Sequence, residues 1–119
     1  MTLEAIATRF VELCNQGQNF DVMHTMYAAD IVSVESDGRE TAGQVPVIRK
    51  SERWVADNRI DAQRLRGPFF NGADQFAIHF VFDVTRKGTG QRATLEEVGV
   101  YTVKGDKIAR EQFFYTGGR

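Results

Sequence analysis

FVELCNQGQNFDVMHTMYAADIVSVES, residues Phe10–Ser36, reads as two helices that feed one strand. Upstream and through its start, Leu3, Ile6, Phe10, Leu13 and Cys14 recur at helical spacing and predict an amphipathic helix over residues 3–16. Thr2 is placed to cap it, Glu4 suits its first turn, and Gly17 supplies a left-handed residue to end it. Asn19 is placed to cap a second, shorter helix whose apolar side includes Val22, Met23 and Met26. The β-branched run Ile31–Val34 then reads as a strand, with Glu35 at its end and Ser36-Asp37-Gly38 as a turn.

Working outward, Val47, Ile48, Trp54 and Val55 predict a third helix over about residues 44–58, with Pro46 in the first turn where its missing N–H costs no bond. After Ile60 the period changes. Residues 61–66 read as a strand ending at Gly67-Pro68. Residues 75–86 alternate through Phe76, Ile78, Phe80, Phe82 and Val84, and residues 92–103 and 107–115 form a last hairpin around Gly105-Asp106. Helices first and a meander of strands second is an α+β order.

The bulk properties narrow the function. A chain of 119 residues fits one domain, 1–119, with a core of its own. Its net charge of -1, and basic residues scattered with no run longer than Arg86-Lys87, give no footprint for nucleic acid. No apolar run approaches the ~20 residues of a membrane span, and no basic-then-apolar leader opens the sequence, so a cytoplasmic protein is expected. The single cysteine, Cys14, lies on the apolar helix face and reads as a buried, inert thiol. Two distant histidines, His24 and His79, do not make metal-ligand spacing with it, so no metal is expected, and the proton-transfer chemistry considered below needs no cofactor.

Carboxylates carry the chemical interest. Glu35 ends the first strand, Glu96 and Glu97 sit inside a strand where glutamate is depleted, and Glu111 stands among Phe113, Phe114 and Tyr115. A carboxyl group among aromatics holds its proton to higher pH unless it is paired, and so becomes a general acid or base. A structural bond to Arg110, Tyr101 or a partner chain is the plainer alternative for Glu111. A regular two-residue hairpin at Gly105-Asp106 would set Val103 opposite Ile108 and put Glu96, Glu111 and Tyr115 on one face, with Glu97, Tyr101 and Arg110 on the other. One β-bulge would exchange these sets along part of a strand.

RFVELCNQGQ, MYAADIVSVES, LRGPFF and VYTVKGDKIAREQFFY together resemble the nuclear transport factor 2-like superfamily, in particular its SnoaL-like branch of polyketide cyclases, close to the ketosteroid isomerases. The resemblance implies a cone-shaped, cystatin-like α+β fold, with three N-terminal helices packed on a curved antiparallel sheet, and a homodimer paired through that sheet. The position of the isomerases' base falls on Glu35. Their two oxyanion donors, a tyrosine on the first helix and a protonated aspartate on a late strand, fall on Phe10 and Gly99, which have no side-chain donor, and Ser36 replaces a proline. Steroid isomerisation by the same mechanism is therefore not expected, since such donors are worth ~3–4 kcal/mol each.

Two functions stay open. One is an enzyme whose cavity, lined by Phe10, Trp54, Phe80, Phe82, Glu97 and Phe113, holds an apolar ring compound. Glu35 or Glu111 would move a proton and Tyr101 or Tyr115 would donate to a carbonyl oxygen, as in an isomerase or cyclase. The other is a non-catalytic ligand-binding or scaffolding homodimer.

Overall fold

In a computed structural model, residues 1–117 are described. Their elements are α1 (Leu3–Asn15), α2 (Asn19–Met26), β1 (Tyr27–Val34), β2 (Glu40–Ala42), α3 (Gln44–Asp57), β3 (Asn58–Asn71), β4 (Gln75–Arg86), β5 (Arg92–Lys104) and β6 (Lys107–Phe114). The expected domain runs to residue 119, so its Gly118 and Arg119 lie outside the described residues.

The strands form one sheet in the order β2-β1-β6-β5-β4-β3. β3 to β6 are an antiparallel meander, and β2 pairs antiparallel with β1. The expected antiparallel sheet is corrected at one place: β1 and β6 are parallel, so the sheet is mixed. The cause is topological. α3 carries the chain from the β2 edge to the far edge, and the three reversals of the meander bring β6 back beside β1 running the same way.

Local expectations hold in most places. The Thr2 hydroxyl accepts from the Ala5 N–H at 3.1 Å, and Ile6, Ala7, Phe10, Leu13 and Cys14 bury the inner face of α1. Phe76, Ile78, Phe80, Phe82 and Val84 of β4 are all buried against it, while Ala77, His79, Val81 and Asp83 form the half-polar outer face.

Three readings change. Asn19 does not cap α2; Gln18 holds that place, and the Asn19 amide instead exchanges hydrogen bonds with Gln63 of β3 at 3.1 and 2.8 Å. Gln63 also donates to the Cys14 carbonyl at 2.5 Å, latching the α1–α2 junction to the sheet. β1 begins at Tyr27, four residues before the first residue of the expected run.

β3, finally, does not end at Gly67-Pro68. It continues to Asn71 through a register shift between Arg66 and Phe69. Proline is tolerated there because β3 is an edge strand and the site is a bulge. Gly67 is needed twice over: its φ is +115°, and a Cβ would lie 2.9 Å from the Ala77 carbonyl oxygen.

Candidate functional site

The β5–β6 hairpin sets the site. Val103 faces Ile108, as a two-residue turn requires, but the register shifts between Thr102 and Val103, leaving Ala109 as the extra residue. Beyond that bulge Tyr101 pairs with Glu111, so both side chains point inward. On its other side Glu111 neighbours Ser33 of β1 in the parallel ladder, and Tyr101 neighbours Phe76 of β4. Ser33, Glu111, Tyr101 and Phe76 therefore form one buried rung across four strands.

Above this rung lies a cavity of about 220 Å³. The ten side chains expected at the site, Glu35, Glu111, Tyr101, Tyr115, Phe10, Trp54, Phe80, Phe82, Glu97 and Phe113, all stand on its wall. α1 contributes Phe10, α3 contributes Trp54, the sheet contributes six, and Glu35 and Tyr115 stand just past the ends of β1 and β6. The outcome for Glu97 follows from β4 and β5 alone: it pairs with inward-facing Phe80.

Three polar groups of the cluster are additions to that set. Lys50 of α3 donates to Glu35 Oε1 at 2.5 Å and to Ser33 Oγ at 2.8 Å, and lies 6.0 Å from the Phe113 ring centroid. Tyr27, at the start of β1, donates to Glu111 Oε1. Ser33 lies opposite Glu111 in the β1–β6 ladder, and its hydroxyl favours the charged form of that carboxyl. The chain of contacts Glu35–Lys50–Ser33–Glu111–Tyr27 is continuous, and Tyr115 closes it by donating to Glu35 Oε2 at 2.8 Å. The signal for Lys50 was present in the sequence: it falls three residues after Val47 and four before Trp54, on the apolar stripe of α3.

The two carboxyls are pushed apart. Burial raises Glu111 above the ordinary carboxylate range; the hydrogen bond from Tyr27 and the nearby Ser33 hydroxyl oppose this without reversing it, and the Glu35 charge adds to it. Burial acts on Glu35 in the same direction, but hydrogen bonds from Lys50 and Tyr115, with the Lys50 charge, outweigh it and leave Glu35 below its ordinary value. Burial pushes the Cys14 thiol up to about 12, which makes it inert as expected.

Tyr101 differs from the other phenols. It is 2% exposed, wedged between Phe10 and Phe76 at 4.6 and 5.2 Å between ring centroids, and burial pushes its pKa well up. No described residue hydrogen-bonds its hydroxyl, which opens on the cavity. The hydroxyl lies directly over Gly99: a Cβ there would come within 2.8 Å of it.

No His, Cys, Asp or Glu cluster among the described residues is arranged to hold a metal ion, and no described helix is long and apolar enough to cross a membrane.

A family model, the SnoaL-like domain, matches residues 1–115. Among curated proteins none matches the chain. A candidate SnoaL-like polyketide cyclase of Mesorhizobium loti, also described as a carbohydrate phosphatase, superposes with a TM-score of 0.90 at 42% identity, over 97% of this chain and 100% of that one. A protein of ketosteroid isomerase-like fold from Catenulispora acidiphila, solved with trimethylamine, gives 0.75 at 21% identity over 98% and 88% of the two chains. A candidate polyketide cyclase of Xanthomonas campestris gives 0.75 at 18% identity over 95% and 89%. The last two are similar in fold alone.

Proposed function

Since this chain belongs to the SnoaL-like domain family, we propose that its cavity binds an apolar ring ketone and moves a proton beside the carbonyl, as an isomerase or cyclase does. The observation that carries this reading is the Tyr101 hydroxyl, buried, open to the cavity and without a hydrogen-bond partner among the described residues. A phenol held between Phe10 and Phe76 with its hydroxyl open to the cavity has a donor to offer whatever fills that cavity. Lying over Gly99, it supplies the oxyanion contact that neither Phe10 nor Gly99 can make.

Glu111, which keeps its proton to higher pH than an ordinary glutamate, sits beside Tyr101 as the second donor to the carbonyl oxygen. Glu35, held ionised, is the base that takes the α-proton. Two carboxyls whose surroundings separate their proton affinities divide acid and base roles in this way. Proton removal leaves an enolate whose charge Tyr101 and Glu111 stabilise, and return of the proton to another carbon completes an isomerisation. A phosphate ester suits the inner wall poorly, since Glu35, Glu97 and Glu111 stand there against one ammonium, Lys50.

Exchange of the α-protons of 2-tetralone in D₂O, followed by NMR, tests the reading. Tyr101→Phe should slow enzyme-dependent exchange by about 10²-fold. It should leave stability within about 0.5 kcal/mol, because the hydroxyl it removes bonds no described residue. Glu35→Gln should abolish exchange; retained exchange in both variants would refute the proposal. Binding without chemistry is the second reading. It is favoured by the fact that both Glu35 oxygens already accept hydrogen bonds, which blunts the base.

For the assembly we propose a homodimer paired through the outer face of the sheet. Phe114 is 51% exposed there, next to Val98 in the ladder, with Val100 and Val81 on the same face.

A further inference from the structure

A second, larger cleft of about 720 Å³ adjoins the inner cavity. Glu35, Lys50, Trp54 and Tyr115 belong to both walls, so these four side chains stand between the two spaces. The spaces differ in chemistry. The inner one is walled mainly by aromatic and aliphatic side chains. The outer one is lined by Ser36, Thr41 and charges of both signs: Arg39, Arg53 and Lys50 against Glu35, Asp37, Glu40 and Asp57.

Size limits what enters the inner cavity. A cavity of about 150 Å³ accommodates benzene, whereas pockets for drug-sized ligands begin near 300 Å³. A space of about 220 Å³ therefore holds one ring or two fused rings with few substituents, and not four. Charge limits what lies in the outer cleft. A single charge there meets like charges within the same cleft, whereas a hydroxyl donates to one neighbour and accepts from the next. The flat face of Trp54, shared by both walls, suits the junction between an apolar body and a wetter end.

We propose that the ligand is amphipathic. One or two fused rings bearing the carbonyl fill the inner cavity, and a neutral polyhydroxyl arm, of the kind a sugar provides, passes Glu35 and Lys50 into the outer cleft. The proposal rests on the ring-carbonyl reading of the inner cavity and adds the size limit and the arm.

Equilibrium dialysis with three probes tests it without turnover: 4-methylumbelliferyl glucoside, 7-methoxy-4-methylcoumarin as the same ring system without a sugar, and testosterone as a four-ring ketone. The glucoside should bind about tenfold or more tightly than the methoxycoumarin. Testosterone should not be retained. Arg53→Ala, at an exposed position of α3 on the outer cleft, should bring the two coumarins close together in affinity. Equal binding of both coumarins, binding of testosterone as tight as that of the glucoside, or no binding of any probe would overturn the proposal. Failure of tetralone exchange with the glucoside preference intact would instead refute proton transfer and leave the ligand class standing.

Discussion

Glu111 concentrates the physics of this site in one residue. Its folded-state pKa is raised above the ordinary value of 4.5 because burial penalises its charge. The native chain therefore holds that proton more tightly than the unfolded chain. Glu111's contribution to stability is fullest below about pH 4.5 and is lost as pH rises through the raised pKa. Glu35 has the opposite sign: its depressed pKa stabilises above 4.5, and that contribution falls away on acidification. Glu111→Gln keeps a neutral hydrogen-bonding group at the site but cannot ionise. Its melting temperature minus that of the wild type should grow from about pH 5 to about pH 8 in scanning calorimetry; a constant difference would contradict the raised pKa. Gly99 tests the neighbouring contact. An alanine Cβ would meet the Tyr101 hydroxyl at 2.8 Å and its ring at 2.9–3.0 Å, and that ring has no room to retreat between Phe10 and Phe76. Gly99→Ala should cost about 1–3 kcal/mol, read as a lower urea midpoint at unchanged slope.

At the scale of elements, what was legible in the sequence followed period and turn chemistry. β4 alternates cleanly, so its bounds and inward face could be read directly from Phe76 to Val84. The bulge at Ala109 could not be placed, because period-two counting is blind to one extra residue and no glycine marks it. That single residue determines whether Tyr101 faces Glu111 or turns away. The parallel β1–β6 contact was likewise illegible, since alternation within a strand does not say which strand lies beside it. Lys50 is a charge on the apolar stripe of α3, and its ammonium joins α3 to the end of β1 through Glu35 and Ser33. The pair is largely shielded, with side-chain exposures of 25% and 19%. Lys50→Met should strand the Glu35 charge and cost about 1–3 kcal/mol, below the ~3–5 kcal/mol of a fully buried pair because some solvent reaches it. Chemical denaturation near neutral pH measures that loss. The same variant should lose less stability than wild type on acidification, since the main group depressing Glu35 is gone.

At the scale of the whole molecule, the sheet has two faces and only one is covered by helices. The outer face spans β3 to β6, four strands averaging roughly 12 residues. At about 3.3 Å per residue and about 4.8 Å between strands, this gives a surface of roughly 40 by 19 Å. That is close to the ~800 Å² per partner of a standard stable interface. Its centre is apolar, with Val81, Val98, Val100 and half-exposed Phe114, while the Arg64–Asp83 pair and the His79–Glu96 contact stand beside that centre. An apolar middle with polar surroundings is how interfaces between subunits are built. A second copy of this chain, meeting the first across a twofold axis, would bury Phe114 against the partner's sheet and leave the cavity, on the helix side, untouched. Charge placed at the centre should therefore separate the subunits without disturbing the site. Phe114→Glu and Val98→Lys should each halve the mass measured by sedimentation at micromolar concentration, with the circular dichroism spectrum unchanged. A wild-type chain that already sediments as a monomer would reject the dimer and leave Phe114 exposed for some other contact.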